Sequence, residues 1–229
     1  MGEDIGKICI RELSAGYGTQ PLCAPLNLDI LQGQGLGIIG ANGSGKSTVL
    51  RTIFDLQVPV AGSVENRGTT LDESSMDYRR DLALLVEDGT FFDELTVAEH
   101  LGLTARGHGL AHPRQAVDNE LGFFDLLPVA DAFPHQLSSG QPRKLMLAAC
   151  LIRPSAFLVL DEPEQRLDPG FRVRLAERLE RLRADGAGLV LVSHDPLLIG
   201  RCTREVLLLQ DGDWHLLETD RAVAWLGGA

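Results

Sequence analysis

The octapeptide GANGSGKS at residues 40–47 constrains this chain more than any other part of it. Its glycines at 40, 43 and 45 permit backbone conformations closed to residues with a Cβ, so successive N–H groups can curl around an anion. The apolar LGII at 36–39 precedes it, which reads as a strand feeding the loop. A helix that starts after the loop points its positive end at the same anion. Lys46 supplies a cation able to reach β- and γ-phosphates, and the Ser47 hydroxyl can hold Mg²⁺. A glycine-rich turn with an incidental lysine would explain the same letters. Chance, however, produces the pattern in a chain this long on the order of one time in a hundred. The expected phosphate contacts are Gly40, Ala41, Asn42, Gly43, Ser44, Gly45, Lys46, Ser47 and Thr48.

The rest of the chain fits an α/β setting. Runs at 36–39, 82–86, 156–160, 188–192 and 205–209 are short and apolar, as strands covered on both faces should be. Residues 26–31 (LNLDIL) alternate instead, which predicts an antiparallel strand with one wet face. Helix signals lie between the runs. Thr96 and Glu99 form a capping box for a helix to about 106, and Asp168-Pro169 and Asp195-Pro196 each start another. Phe171, Leu175, Leu179 and Leu182 make one stripe of a helix, with Glu177 and Arg181 paired on another. Residues 88–150 carry helix patterns and no convincing strand. The expectation is a single domain over 1–229, with an α/β core (1–87 and 151–229) and a helical insertion at 88–150.

Composition narrows the class. Hydrophobic residues make up 44% and charged residues 23% of the 229, which excludes a disordered chain. Acidic residues outnumber basic ones 32 to 21, for a net charge of −11, which argues against nucleic acid as a partner. Cys9, Cys23, Cys150 and Cys202 form no CxxC pair and read as free thiols in a reducing compartment. No basic-then-apolar leader opens the chain, and no apolar run approaches the roughly 20 residues of a membrane span. A cytosolic protein is expected.

Three further segments carry chemistry. FLVLDEP at 157–163 ends an apolar strand in two carboxylates. There Asp161 is placed to bind Mg²⁺ and Glu162 to polarise an attacking water. HQLSSGQPRKL at 135–145 offers Ser138, Ser139, Gly140 and Gln141 at a helix start. That is a second phosphate site, or simply a capped helix. SHD at 193–195 adds His194. On chemistry alone, Tyr17 reads equally as a core aromatic or as a base platform.

The combination GANGSGKS, LSSGQ, LVLDEP and SHD, in that order along essentially the whole chain, closely resembles the ATP-binding cassette ATPases. The resemblance implies a P-loop (RecA-like) α/β core with an antiparallel β subdomain and an inserted α-helical signature subdomain. It implies ATP and Mg²⁺ as ligand and cofactor, Lys46 and Glu162 as catalytic groups, and His194 as the switch histidine at the γ-phosphate. Tyr17 would stack on adenine, and Ser138 and Gly140 would meet ATP held by a second subunit. Ser47 and Asp161 would serve the metal, and Asp168 would lie in the interprotomer loop.

The chain also departs from the family pattern. Glu87 stands in the register where the family usually has glutamine, so a carboxylate would replace an amide as a metal ligand. Gln165-Arg166 replaces a serine followed by a small residue, and Ser139 replaces glycine. Three functions are weighed. The first is an ATPase subunit powering transport through separate transmembrane permease subunits, paired with a second ATPase subunit and peripheral on the inner membrane face. The second is a mechanical or regulatory cassette ATPase of a membrane complex that moves no solute. The third is a P-loop kinase, which would not need LSSGQ or His194. The first is favoured, and the short segment after EVLLLQDGDWHLLE points toward an exporter-type subunit.

Overall fold

The computed structural model describes residues 6–86 and 91–228. Strand β1 (Lys7–Ser14) sends Ile8 and Ile10 into the core and breaks register at Glu12, whose φ of 46° marks a bulge. Two short strands, β2 (Gly16–Tyr17) and β3 (Gln20–Pro21), make a hairpin of their own. β4 (Leu26–Leu31) then returns antiparallel to β1, with Ile8 opposite Ile30. Asp29 on its wet face pairs with Arg11 at 2.7 Å and Lys7 at 3.1 Å. β5 (Gly35–Gly40) is buried at every position and delivers the chain to α1 (Lys46–Ile53). β6 (Ala61–Asn66) and β7 (Thr69–Thr70) complete a four-stranded antiparallel sheet in the order β4-β1-β6-β7.

The short helix α2 (Met76–Asp81) leads into β8 (Leu82–Leu85). Helices α3 (Val97–Gly107), α4 (Pro113–Phe123) and α5 (Gln141–Leu151) follow, with single 3₁₀ turns at Leu127–Val129 and Pro134–Gln136. The chain then alternates through β9 (Phe157–Asp161), α6 (Pro169–Ala184), β10 (Gly188–Val192), α7 (Pro196–Cys202), β11 (Glu205–Gln210), β12 (Asp213–Glu218) and α8 (Thr219–Gly228). The second sheet runs β12-β11-β5-β10-β9-β8, parallel except for the β11–β12 hairpin. This is the α/β core with an antiparallel β sheet and an inserted run of helices that the sequence implied.

The parallel sheet is buried on both faces, and alternation along each strand shows it. Ile39, Leu158, Leu160, Leu189 and Leu191 join the core beneath α5, α6 and α7. Their neighbours Ile38, Val159, Val190 and Val192 join a second core with α1 and the antiparallel sheet. The sheet is thus a partition between two apolar layers. Capping sets the helix starts: the Thr96–Glu99 box closes in both directions, and Asp168 and Asp195 accept from Phe171 and Leu197. All four cysteines are free thiols, three of them buried.

The inserted helices are tied to the core by an aromatic cluster. Phe124, just past α4, is fully buried with its ring 5.4 Å from Phe171 of α6 and 5.0 Å from Phe123. Arg178 of α6 grips Glu120 of α4 through both carboxylate oxygens, one at 2.8 Å. Asp125 takes Lys144 at 3.1 Å and Arg174 at 3.1 Å. Deleting the Phe124 ring leaves a cavity at this junction. Phe124→Ala should cost about 3–5 kcal/mol, read as a lowered urea midpoint. A midpoint shift worth under about 1 kcal/mol would show that the junction does not depend on this ring.

Candidate functional site

The register of the parallel strands aligns their carboxyl ends. Val192 sits opposite Asp161 and also opposite Ile38, and Gly40 sits opposite Leu209. The loops after β5, β9 and β10 therefore leave the sheet side by side, at the edge where open α/β sheets bind ligands. GANGSGKS, DEP and SHD occupy those three loops.

The first loop is a cradle by backbone geometry. Gly40 has φ 153°, and a Cβ there would stand 2.5 Å from the Leu209 carbonyl oxygen. Gly43 has φ 80° with open space around it, so glycine is required there for conformation and not for room. α1 begins with no side-chain cap and no acidic residue in its first turn, which leaves its N–H groups for an external acceptor. Lys46 is buried, and its Nζ donates to the Gly40 and Ala41 carbonyls at 3.0 Å each. Burial pushes its pKa down, while the charges of Glu162 and Asp161 oppose that shift. Asn42 is exposed on the loop, and Ser44 Oγ is buried without a partner among the described residues.

Asp161 ends β9. Burial raises its pKa; the Glu162 charge adds to this, and the Ser47 hydrogen bond, Lys46 and Arg143 act against it. Its Oδ1 is buried with no hydrogen-bond partner among the described residues. An orphaned carboxylate oxygen beside a serine hydroxyl is a donor set that fits a hard divalent cation, whose binding would satisfy it. Ser47 and Asp161 thus fit a phosphate-bound Mg²⁺.

Glu162 adopts φ 46°, a left-handed conformation that costs a non-glycine residue about 1–2 kcal/mol. Its N–H bonds the Val192 carbonyl at 2.8 Å. Arg143, buried on α5, donates to the Asp161 and Glu162 carbonyls at 2.7 Å each. Hydrogen bonds from a charged donor contribute about 1.5–3 kcal/mol each, enough to offset that strain. The strained turn aims Glu162 at His194, with Nε2 3.6 Å from Oε1. Gln165 donates its amide to the other carboxylate oxygen of Glu162.

Arg143 and Glu164 carried no motif signal. Glu164 lies in the loop after Glu162, 7% exposed, and accepts from Ser193 Oγ at 2.6 Å and from the His194 N–H at 3.0 Å. Its nearness to DEP in sequence was the one available hint. Tyr17 is no core aromatic: it is 64% exposed, and its hydroxyl meets Thr48 Oγ1 on α1 at 3.0 Å. Ser138 and Ser139 are exposed before α5. The helix start is closed instead by the Gln141 side chain, which accepts from the Ser138 N–H at 2.8 Å, so neither serine hydroxyl is spent on a cap. Gly140 backs onto the Arg166 carbonyl, and Asp168 caps α6. Glu87 lies outside the described residues.

A phosphate cradle, an adjacent acidic strand end, a glutamate–histidine pair and a helix start with uncapped serines together define a cassette-type P-loop ATPase. Residues 23–165, more than half the chain, match the family model described as ABC transporter. The chain belongs to that family as an ATP-binding, ATP-hydrolysing subunit. It is 30% identical over 208 residues to the ABC-type transporter ATP-binding protein EcsA of Bacillus subtilis, covering 90% of this chain and 84% of that protein. It is 31% identical to Nod factor export ATP-binding protein I of Ralstonia nicotianae, covering 90% of this chain and 64% of that protein. Against the aliphatic sulfonates import ATP-binding protein SsuB of Pseudomonas fluorescens it is 30% identical, covering 90% and 74%. Among solved structures, the ATP-binding subunit of an ABC transporter superposes with a TM-score of 0.84 at 29% identity, covering 96% of this chain and 93% of that one. A dimeric ATP-binding cassette bound to ADP and Pi shares the fold, with a TM-score of 0.80 at 23% identity over 93% and 98% of the two chains.

Arg143→Met keeps the aliphatic stem but leaves the Asp161 and Glu162 carbonyls without this donor. It should lower stability by about 1–3 kcal/mol, measured by chemical denaturation. An unchanged midpoint would mean that the Glu162 turn holds itself.

Proposed function

We propose that the chain drives transport of a solute through separate transmembrane subunits, by closing on ATP together with a second ATPase subunit. The observation that carries this reading is the convergence at one sheet edge of the Lys46 cradle, the unpartnered Asp161 oxygen and the Glu162–His194 pair. Lys46 would let go of its two loop carbonyls for the β- and γ-phosphates, so ATP replaces an internal contact of equal sign. Ser47 and Asp161 would hold Mg²⁺, whose charge, when bound, neutralises the phosphate oxygens. Glu87 would join them as a third ligand. Glu162 would accept the proton of the attacking water, and His194 would donate toward the γ-phosphate. Tyr17, exposed beside α1, would stack on the base.

The exposed Ser138 and Ser139, with Gly140 and Gln141, would meet ATP in the opposite subunit's cradle, and Asp168 would lie at the same seam. Two such contacts make a head-to-tail pair in which ligand contacts exist only in the closed state. The partners follow from this: a second ATPase subunit, and transmembrane subunits that hold the domain at the inner membrane face. No helix among the described residues is long and apolar enough to cross a membrane. The similar proteins include subunits named for export and for import, so they lend no support to an exporter-type role over an importing one. The α/β core (1–87 and 151–229) and the helical unit (88–150) would then move against each other as the pair closes.

Lys46→Ala should abolish ATP hydrolysis, because it removes the cation inside the cradle; near-normal phosphate release by the purified variant would overturn the assignment. Glu162→Gln should keep ATP binding and slow turnover by roughly 10²–10⁴, accumulating an ATP-dependent dimer on size-exclusion chromatography. A variant that turns over normally contradicts the role of Glu162.

A further inference from the structure

The loop that carries Glu162 carries a second carboxylate that the mechanism above does not use. Glu164 is almost fully buried, and Oε1 alone accepts both the Ser193 hydroxyl at 2.6 Å and the His194 backbone N–H at 3.0 Å. Ser193, itself fully buried, receives the Asp195 N–H on its Oγ at 3.0 Å. Asp195 then caps α7 through the Leu197 N–H at 2.9 Å. One carboxylate oxygen therefore fixes the whole tripeptide between β10 and α7. The His194 side chain, by contrast, is 39% exposed, and its one ion-pair contact among the described residues is with Glu162 at 3.6 Å, so no described residue holds its ring firmly. Its place depends on where its backbone is held.

We infer that Glu164 is a positioning residue for His194, a strut that fixes the histidine relative to the base Glu162 on the same loop. The inference rests on the reading of His194 as the γ-phosphate contact. Glu162 and Glu164 are separated only by Pro163, whose ring restricts the backbone between them. The base and the anchor of the histidine therefore move as one piece. A displacement of the 162–168 loop by the opposite subunit would reach both groups together. An ordinary buried acceptor would satisfy the same two donors, and the two roles differ in what they do to the histidine ring.

The test uses two variants of the full chain. Glu164→Gln keeps an oxygen acceptor for Ser193 and His194. Glu164→Met fills the same space with no acceptor and so preserves packing that an alanine would lose. Expected for Glu164→Met is a fall in kcat of about tenfold or more with KM for ATP within about twofold, and for Glu164→Gln a kcat within about threefold of the parent. The second readout needs no turnover. In nucleotide-free protein with ¹³C-labelled histidine, one of six ring Cε1–H signals belongs to His194 and is assigned by its loss in His194→Ala. That signal should shift in Glu164→Met and keep its place in Glu164→Gln. A kcat that falls equally in both variants, or a His194 signal unmoved in Glu164→Met, overturns the inference, as does unchanged turnover in Glu164→Met. If His194→Ala itself hydrolyses ATP normally, it is the role of His194 that fails, and the ring signal still reports whether Glu164 holds it.

Discussion

Burial of the six-stranded sheet on both faces is the constraint from which the rest follows. Each apolar side chain of β5, β9 and β10 joins one apolar layer or the other, so a polar side chain in the middle of these strands would have to be buried unpaired. Chemistry is therefore confined to the strand ends. Three strands end at the same edge because their register aligns Ile38, Asp161 and Val192, and Lys46, Ser47, Asp161, Glu162 and His194 all lie at or just beyond those strand ends. The helical insertion contributes by reaching in, through Arg143 of α5.

That edge is assembled with deliberate imbalance. A lysine is buried among carbonyls, with Asp161 and Glu162 close enough to act on it. An aspartate oxygen and a serine hydroxyl are buried with no partner among the described residues. Each is a cost on its own, and in the proposed function one ligand, a triphosphate with its divalent cation, would relieve them all. Such a site would gain more from that ligand than a fully satisfied surface could. The strain at Glu162 belongs to the same economy: the turn is unfavourable for glutamate, and Arg143 and the Val192 carbonyl hold it in place.

Much of this was legible in the residues. Apolar runs located five of the strands of the parallel sheet because a strand covered on both faces must read as continuous hydrophobicity. Caps located α3, α6 and α7 because Thr96, Asp168 and Asp195 act on bonds within one turn. β6 was not legible: AGSVEN has little strand character and is held by pairing with β1, far away in the chain. The helix α2 was also missed, since its six residues lean on the Ser75 cap and on Tyr78, whose hydroxyl bonds the Phe54 carbonyl at 2.5 Å. At the site, the motif residues announced themselves through spacing. Arg143 and Glu164 did not, because their partners are backbone groups brought near only by the fold.

In the proposed pair, each ATP is shared between the cradle of one subunit and the LSSGQ segment of another. Mixing two inactive variants of the chain shows whether that sharing occurs. Lys46→Ala breaks the cradle, and Ser138→Arg breaks the segment offered to the other subunit. In a head-to-tail pair made of one of each, one composite site collects both defects and the other collects none. Random pairing should therefore restore about a quarter of the parent's ATPase rate on mixing, from two preparations that are each inactive. A mixture no more active than its parts would contradict the shared site.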